Sequence, residues 1–353
     1  MFSWRRAKPA LLGVDISATS VKVVELAMSG NVMEVKGYTV ATLTPADASV
    51  KQEAKVQMVG IAIKKATRQL ATRLNQAVTA VPSAAVIVKT LTFPANLSED
   101  DIEAQIELEA EQYIPYPLED VSLDFCILGP TEKMTGMVDV QVVASRKEYV
   151  EDRAAALEWA GLKAEVVDVE SFAIERACHR IFQHTPDQPD DDVYAVVDAG
   201  ATSTSLIVIK GRQVIYTREQ SFGGLQLSEA IQKRYGLTYE DAELLKKRGG
   251  TPGDYEAEVR DPFIDALGQQ IGRSLHFFRS SQPQVSVGKL VLGGGCAALP
   301  GIEQRIDANH GVKVIHLDPF VGMNLSPRAA RANLTQDAPS LLVATGLALR
   351  GFD

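Results

Sequence analysis

The chain has 353 residues, more than one hydrophobic core usually organises, so two or three compact units are expected. It carries 36 Lys and Arg residues against 45 Asp and Glu residues, and the formal charge of -9 argues against an extended nucleic-acid-binding surface. Hydrophobic residues make up 46% of the chain and charged residues 23%, which argues against long disordered regions and predicts sizeable cores.

Cysteine and histidine content bears on the redox compartment and on metal binding. Cys126, Cys178 and Cys296 are isolated and odd in number, which suits a reducing compartment better than a disulfide framework. The five histidines form no HExxH motif and no cluster with cysteines, so a zinc site is not expected. No stretch reaches the ~20 apolar residues that cross a bilayer, and the charged start of the chain lacks a signal-peptide core. We therefore expect a cytosolic protein.

The first half of the chain predicts alternating strands and helices. Residues 11–38 have the pattern of strand, tight turn, strand, turn and strand, and residues 52–74 place apolar side chains at helical spacing. Ser98 to Asp101 has the pattern of a capping box that opens a helix, and Pro115 stops that helix. Further strands are predicted at 77–82, 86–93, 121–128, 138–145 and 164–169, and further helices at 147–159 and 171–184.

The second half begins after TPDQPDDD, residues 185–192, a polar and proline-interrupted stretch that is the best boundary candidate. Beyond it the pattern of strand, turn and strand returns over 193–219. Residues 225–245, 262–281, 302–310 and 341–349 read as largely helical, and 289–295 and 312–317 as strands. Strands alternate with helices throughout, which predicts an α/β fold.

A short internal repeat crosses this boundary. DISATS at 15–20 matches DAGATS at 198–203, and each copy follows an apolar strand. Small residues there let the backbone approach a ligand, and successive N–H groups form a concavity that suits phosphate oxygens. Asp15 and Asp198 end their strands, where a carboxylate can hold a hydrated Mg²⁺. The alternative is two ordinary hairpin turns, which are frequent without any ligand; the duplication favours two half-structures that clamp one nucleotide.

Two weaker signals accompany the repeat. A strand ends in Gly293, Gly294 and Gly295, which allows close approach of a base or ribose, although glycine turns are common. Gly223 and Gly224 open a predicted helix. A carboxylate and two ammonium groups follow in the sequence, and these could bind ribose hydroxyls and an adenine edge. These charged residues are Glu243, Lys246 and Lys247. A solvated helix face is the alternative.

The order of these motifs resembles that of the actin-like ATPase superfamily. The matching segments are DISATSVK, VVDAGATST, VESFAIE, VLGGGCAALPGI and VATGLAL. Within the superfamily, EAEQYIPYPLEDV and GGLQLSEAIQKRYGLTYEDAELLKK resemble PilM, a family of type IV pilus assembly proteins akin to the cell-division protein FtsA. The resemblance implies two duplicated α/β lobes around a nucleotide cleft, with an FtsA-like subdomain inserted in the first lobe.

The resemblance also implies domain boundaries. The first lobe is expected at 1–190, with 325–353 returning to it and the inserted subdomain at about 84–163. The second lobe is expected at 191–324, with a helical subdomain at about 225–284.

The same resemblance implies that ATP and Mg²⁺ bind in the cleft. Asp15 and Asp198 match the aspartates that hold metal-bound water, and Glu170 falls where a residue often orients the attacking water. The remaining expected contacts are Ser17, Ala18, Thr19, Ser20, Lys22, Gly200, Ala201, Thr202, Ser203, Thr204, Gly223, Gly224, Glu243, Lys246, Lys247, Gly293, Gly294 and Gly295. Three loop positions differ from the residues usual in the superfamily: Ser17, Ala18 and Ala201. These differences affect how well phosphate and water can be aligned.

The function that the resemblance implies is pilus assembly by an ATP-binding protein that hydrolyses slowly if at all. Its expected partner is PilN, through a short N-terminal peptide, with PilO further along the complex and PilB, PilT or PilC as neighbours. An extended peptide can add to a sheet edge between the inserted subdomain and the first lobe. The expected location is cytoplasmic, at the inner face of the inner membrane, without nucleic acid; homo-oligomerisation is left open.

Two other functions are weighed against this one. A small-molecule kinase of the same fold needs a base near a bound hydroxyl, and no such constellation is found. A filament-forming ATPase like FtsA usually carries a C-terminal amphipathic helix, but this chain ends at LRGFD. Phe2, Trp4, Arg5, Arg6 and Lys8 could touch an anionic membrane weakly, and a disordered tail is the alternative.

Overall fold

The computed structural model describes residues 10–43, 49–131, 134–184, 193–248, 253–310, 313–331 and 334–352. The boundary candidate TPDQPDDD and the basic and aromatic residues near the N-terminus lie outside these ranges. Within the described part of the chain, no helix has both the length and the apolar character that a bilayer span requires.

The first half alternates strands and helices, as its sequence pattern predicts. The elements are β1 (Leu12–Ile16), β2 (Ser20–Ser29), β3 (Val32–Thr42), α1 (Gln52–Leu70), β4 (Gln76–Val81), β5 (Val86–Pro94), α2 (Glu99–Ala110), β6 (Val121–Pro130), β7 (Met137–Arg146), α3 (Lys147–Ala160), β8 (Lys163–Val169) and α4 (Glu170–Gln183). Helix α1 stops four residues before the predicted end because Ala71 adopts the left-handed conformation and caps it. The capping box at Ser98 and Asp101 is confirmed.

The second half repeats the opening strands and then becomes more helical. Its elements are β9 (Val193–Ala199), β10 (Thr204–Lys210), β11 (Gln213–Gln220), α5 (Gly224–Tyr235), α6 (Tyr239–Arg248), α7 (Asp261–Ser281), β12 (Lys289–Gly293), α8 (Ile302–His310), β13 (Lys313–His316), β14 (Asn324–Leu325), α9 (Leu334–Asp337) and α10 (Leu342–Leu349). The predicted helical stretch at 225–245 is divided into α5 and α6, because Gly236 ends α5 at φ +66°.

Three sheets organise these strands. The first has the order β14-β3-β2-β1-β4-β8, the second β11-β10-β9-β12-β13, and a smaller one β5-β7-β6. In the first sheet β1 pairs antiparallel with β2 and parallel with β4; in the second, β9 pairs antiparallel with β10 and parallel with β12. The repeated sequence therefore corresponds to a repeated strand arrangement, and the predicted α/β class is confirmed.

Helices α4 and α10 join the two large sheets. One hydrophobic cluster contains Val78 from the first sheet, Val196 from the second and Leu347 from α10. Every side chain of α10 is buried, and each fully buried Leu or Val contributes roughly 1.5–3 kcal/mol. Close packing requires glycine here, because a Cβ on Gly13 would lie 2.0 Å from the carbonyl oxygen of Ala344. The loops that follow β1 and β9 are thus fixed to one continuous core.

The small sheet has separate cores. Phe93 and Val142 on its strands pack against Ile102 and Ile106 of α2. Its outer strands, β5 and β6, are paired on one side only. Among the described residues, this sheet shares no strand pairing with the two large sheets.

Candidate functional site

The two repeated loops have the same backbone turn. The N–H of Ser17 donates to the carbonyl of Ser20 over 3.0 Å, and the N–H of Gly200 donates to the carbonyl of Ser203 over 2.9 Å. Among the described residues, the amides inside these turns donate to no protein acceptor; they belong to Ala18, Thr19, Ala201 and Thr202. Each loop therefore offers backbone donors to an anion, as its sequence predicts.

An ion pair crosses the first hairpin at its end. Asp15 of β1 lies directly opposite Lys22 of β2 in the antiparallel register. The Lys22 ammonium donates to Asp15 Oδ2 over 2.7 Å and to Ser17 Oγ over 3.2 Å. Burial acts to lower the pKa of Lys22, but the charges of Asp15, Asp198 and Glu170 outweigh it and raise that pKa. Lys22 therefore lies between the two loops.

Asp198 and Glu170 complete a group of three carboxylates around Lys22. Asp198 is the penultimate residue of β9, and Glu170 is the first residue of α4. Burial, with the charge of Asp15 adding to it, raises the pKa of Asp198 to about 6. Burial together with the charges of Asp15 and Asp198 raises the pKa of Glu170 to about 8. The two predicted metal aspartates and the predicted water-orienting residue thus share one electrostatic environment.

This environment fits a hydrated divalent cation. Bound positive charge would relieve the carboxylate repulsion that, together with burial, raises the pKa values of Asp198 and Glu170. Within the described residues, no group of three or more His, Cys, Asp or Glu side chains is close enough to form an inner coordination shell. The arrangement thus fits an ion that keeps its water ligands, as Mg²⁺ tends to do.

Glycine loops enclose the second repeated loop. The N–H of Gly224 donates to the carbonyl of Gly200 over 2.9 Å, and a Cβ on Gly223 would lie 2.6 Å from the carbonyl oxygen of Ala201. Gly294 has φ +83°, and a Cβ there would lie 2.5 Å from Asp198 Oδ1. By contrast, nothing lies within 4 Å of a Cβ on Gly295. The structure therefore brings the predicted glycines beside the loop, with open space next to Gly295.

Gly293 and Thr204 have structural contacts. A Cβ on Gly293 would lie 3.2 Å from the Leu342 side chain, so close packing with the helical end of the chain accounts for this glycine. The Thr204 hydroxyl donates to the carbonyl of Phe222 over 2.6 Å and fixes the segment that leads to Gly223. The predicted phosphate contact of Thr204 stays a prediction; the structure shows that its hydroxyl proton is donated to Phe222. Ser20 and Ser203 remain in their loops beside the open amides.

Glu243 and Lys246 of α6 form hydrogen bonds with the start of α5. The Lys246 ammonium donates to the carbonyl of Gly224, to Ser228 Oγ and to Glu243 Oε1, over 2.9, 2.9 and 2.8 Å. Glu243 also accepts a hydrogen bond from Ser228. The two charged residues thus pair with each other beside the glycine loop. The side chain of Lys247 lies outside the described part of the structure.

The sequence reasoning missed Arg153, a residue of α3. Burial lowers its pKa, while the carboxylates of Glu170, Asp15 and Asp152 oppose that shift. In return, the Arg153 charge acts to lower the pKa of Glu170. Arg153 is one charged position among several on an amphipathic helix, so nothing in the sequence distinguished it.

Arg153 also lines a cleft of about 460 Å³. It is formed by the first turns of α1 and α3, by the segment between β4 and β5, and by one residue of β11. The lining residues are Gln52, Lys55, Val56, Val59, Pro82, Ala84, Ala85, Tyr149, Asp152, Arg153, Ala156 and Glu219. The segment at Pro82 to Ala85 leads directly into β5 of the small sheet. This cleft therefore lies where the first large sheet and the small sheet connect.

Comparisons with known proteins agree with this architecture. The chain is similar to a solved structure described as a PilM-PilN type IV pilus biogenesis complex, with a TM-score of 0.79 and 31% identity over 98% of this chain and 99% of that chain. The ethanolamine utilization protein EutJ from Carboxydothermus hydrogenoformans has a TM-score of 0.54 at 18% identity, over 97% and 89% of the two chains.

An archaeal actin homolog has a TM-score of 0.51 at 12% identity, over 96% of this chain and 98% of the homolog. These likenesses confirm the predicted actin-like ATPase fold. The model of the family described as type IV pilus assembly protein PilM matches residues 13–352. Because this match spans nearly the whole chain, the chain belongs to the PilM family of type IV pilus assembly proteins.

Proposed function

We propose that the chain binds ATP with Mg²⁺ between its two repeated loops and, in that state, docks the N-terminal peptide of PilN. The observation that carries this proposal is the convergence of Asp15, Asp198 and Glu170 on one electrostatic environment beside two loops with open amides. The similar solved complex of PilM with PilN supports the choice of partner.

In this proposal the nucleotide phosphates lie against the two loops. The amides of Ala18, Thr19, Ala201 and Thr202 are the donors, and Asp15 and Asp198 hold the waters of the metal ion. Gly295 borders the open space in which a ribose or base would lie. Bound Mg²⁺ would neutralise phosphate charge. The pairing of Lys246 with Glu243 supports an ordering role for these two residues and leaves direct contact with the nucleoside as a further proposal.

Slow hydrolysis is consistent with the state of Glu170. Without a bound cation this side chain has a pKa of about 8 and is largely protonated at neutral pH. A protonated carboxyl donates a hydrogen bond and cannot accept a proton from an attacking water. We therefore propose that the nucleotide mainly stabilises one conformation, and that any hydrolysis becomes faster as Glu170 ionises.

The cleft at Arg153 is the proposed peptide site. It has an apolar floor from Val56, Val59 and Ala156, and charged groups at its sides. An apolar peptide side chain can occupy such a floor, while peptide main-chain groups pair with the polar margin. Through the tail of PilN the chain would be peripheral at the cytoplasmic face of the inner membrane. PilO would follow through PilN, and contacts with PilB, PilT or PilC would link the chain to the motor.

Calorimetry with the full chain tests both parts. We expect ATP to bind in the presence of Mg²⁺, and the Asp15→Asn and Asp198→Asn variants to lose this Mg²⁺ dependence while they stay folded. Asp307→Asn, on the exposed side of α8, is the matched control. A synthetic PilN N-terminal peptide should then bind, and Ala156→Trp should block it by filling the cleft. Unchanged ATP affinity in both aspartate variants, or an unaffected peptide affinity in Ala156→Trp, would contradict the corresponding part.

A further inference from the structure

Helix α1 presents a basic and apolar stripe to solvent. Ile61, Lys64, Lys65 and Arg68 follow the i, i+3, i+4, i+7 spacing of one helical face, and all four are exposed. Ile61 retains 54% of its accessible surface, which is unusual for a large aliphatic side chain. The opposite face of α1, with Ile63 among its members, is buried against the first sheet.

Trp159 of α3 lies beside this stripe. Its side chain is 41% exposed, and the Lys64 ammonium lies 5.7 Å from the centroid of its ring. A Cβ on Gly60 would lie 2.8 Å from the Trp159 side chain, so glycine at this position lets the indole approach the α1 backbone. The indole is therefore held in place by packing, with its outer part in solvent. We call Ile61, Lys64, Lys65, Arg68 and Trp159 the α1–α3 patch.

In the described part of the chain, the cations of the patch lack carboxylate partners. Within the described residues, no salt bridge involves Lys64, Lys65 or Arg68. Glu158 is exposed next to Trp159 along α3 and is the acidic neighbour in sequence. Lys163, which follows α3, is already paired with Glu165 over 2.7 Å. On a chain with a formal charge of -9, a local cationic surface of this kind predicts an anionic ligand.

We propose that the α1–α3 patch binds the surface of an anionic phospholipid bilayer. Lysine and arginine side chains attract the lipid phosphates, an indole partitions to the level of the headgroups, and Ile61 adds exposed apolar area. A nucleic acid would be attracted by the cations but would gain little from the protruding isoleucine. The combination of exposed aliphatic, aromatic and cationic side chains on one helical face therefore favours a lipid surface.

The position of the patch strengthens the inference. It lies on the second half of α1 and at the end of α3, while the first turns of the same two helices line the cleft. A bilayer bound at the patch would lie near the mouth of the cleft, where the tail of a membrane-anchored partner would arrive. The lipid inference itself does not depend on the proposed function, because it concerns a different surface and needs neither nucleotide nor peptide.

Sedimentation with vesicles tests the proposal, using the full chain without nucleotide or peptide. The chain should bind vesicles of phosphatidylglycerol and phosphatidylcholine in equal parts, bind pure phosphatidylcholine much less, and dissociate as salt is raised. The variant Lys64→Gln, Lys65→Gln, Arg68→Gln should bind about 100-fold more weakly, because each basic residue near such a surface contributes about 1 kcal/mol. The matched control is Lys210→Gln, Arg212→Gln, Lys233→Gln, which removes the same charge elsewhere and should bind like the wild type.

Tryptophan fluorescence separates the patch from the N-terminal segment. The chain has 2 Trp residues, so in Trp4→Phe the remaining emission comes from Trp159. That emission should shift to the blue with phosphatidylglycerol vesicles and stay unchanged with phosphatidylcholine vesicles. Equal vesicle binding by the two triple variants, or sedimentation without a Trp159 shift, would overturn the proposal. Binding of duplex DNA that only the Lys64, Lys65 and Arg68 variant loses, without vesicle binding, would assign the patch to another polyanion and also overturn it.

Discussion

The two repeated loops share a backbone turn but differ in charge. Asp15 lies opposite Lys22 across the first hairpin, whereas Asp198 lies opposite Ser205 across the second. Asp15 therefore has a lysine partner at 2.7 Å, and among the described residues no ion pair involves Asp198. The two loops therefore share the same backbone donor geometry. Asp15 is neutralised by Lys22, whereas Asp198 keeps a negative charge that a bound cation can neutralise.

Removal of Lys22 should lower the stability of the chain most, because Lys22 is the partner that Asp15 has and that Asp198, among the described residues, lacks. Lys22→Met leaves Asp15 buried and unpaired, which should lower the free energy of unfolding by about 3–5 kcal/mol. Urea denaturation measures the change. Lys36→Met is the matched control, since the Lys36 side chain is 44% exposed in its pair with Glu34 and should contribute about 0–1 kcal/mol. Equal losses in the two variants would show that Asp15 is not dependent on Lys22.

Neutralising the two aspartates should have opposite effects on stability. Asp198→Asn removes a buried charge whose pKa is raised to about 6, and should stabilise the nucleotide-free chain at pH 7 by an amount of the order of 2 kcal/mol. Asp15→Asn removes the partner of Lys22 and should destabilise it. Denaturation curves without Mg²⁺ or nucleotide compare the two variants, and a loss of stability in both would refute the proposed asymmetry.

The pH dependence of stability follows from the same shifts. The folded chain holds a proton on Asp198, with a pKa raised from 3.8 to about 6, and on Glu170, with a pKa raised from 4.5 to about 8. The unfolded chain releases these protons at lower pH, so this stability is present below the unfolded pKa values and lost as pH rises through the folded ones. The contribution of these two groups to stability should therefore decline from about pH 4 to about pH 8. Asp198→Asn should flatten the lower part of that decline and Glu170→Gln the upper part; unchanged slopes would contradict both assignments.

Substitutions in the glycine loop beside Asp198 should change the stability of the chain less, and the neighbouring Gly295 provides a control. Gly294 combines φ +83° with ψ 171°, a region that other residues rarely occupy, and a Cβ there would lie 2.5 Å from the carbonyl oxygen of Ala199; Gly294→Ala should therefore cost at least about 1–3 kcal/mol. Gly295→Ala places its methyl group in open space and should leave unfolding unchanged. The second variant should nevertheless weaken ATP binding if that space receives the nucleoside. Calorimetry and thermal unfolding of the pair separate the two roles, and equal stability losses would refute the distinction.

Local sequence patterns predicted most of the fold, because apolar runs and helical spacing of apolar residues mark most of its strands and helices. The repeat identified both aspartates, and a hairpin of this length could have predicted the pairing of Asp15 with Lys22 from its register. The division at Gly236 was also present in the sequence as a glycine after a helical stretch. These features depend on neighbours along the chain.

Other features depend on contacts between distant elements. Thr204 belongs to a motif whose family pattern suggests phosphate contact, yet its hydroxyl bonds to Phe222 in a segment that the motif does not include. Arg153 contributes to the environment of Glu170 only because α3 packs against β8, whose end leads directly into Glu170. Periodicity places a residue on a helix face, but it does not say which distant carboxylate that face meets. This is why the site was predicted in outline and its electrostatics were not.

Arg153 gives the smallest expected effect. It tests whether the charge at the repeated loops is coupled to the cleft. It lines the cleft and also acts on Glu170 and Asp15. Replacement by Gln should raise the pKa of Glu170 further and remove a cation from the cleft. If nucleotide and peptide are coupled through this side chain, Arg153→Gln should reduce the ratio of peptide affinities with and without ATP, by about fivefold at the low end of typical coupling.

Lys55 is the control that isolates this coupling. It also lines the cleft, but it does not contribute to the charge environment of Glu170. Lys55→Gln should therefore weaken the peptide equally in both nucleotide states and leave the ratio unchanged. Calorimetric titration of each variant with the PilN peptide, with and without ATP and Mg²⁺, measures the ratio directly. If both variants change the affinity ratio alike, the coupling depends on the charge of the cleft in general. If neither variant changes the ratio, the nucleotide and peptide sites act independently. Either result would show that Arg153 has no special role.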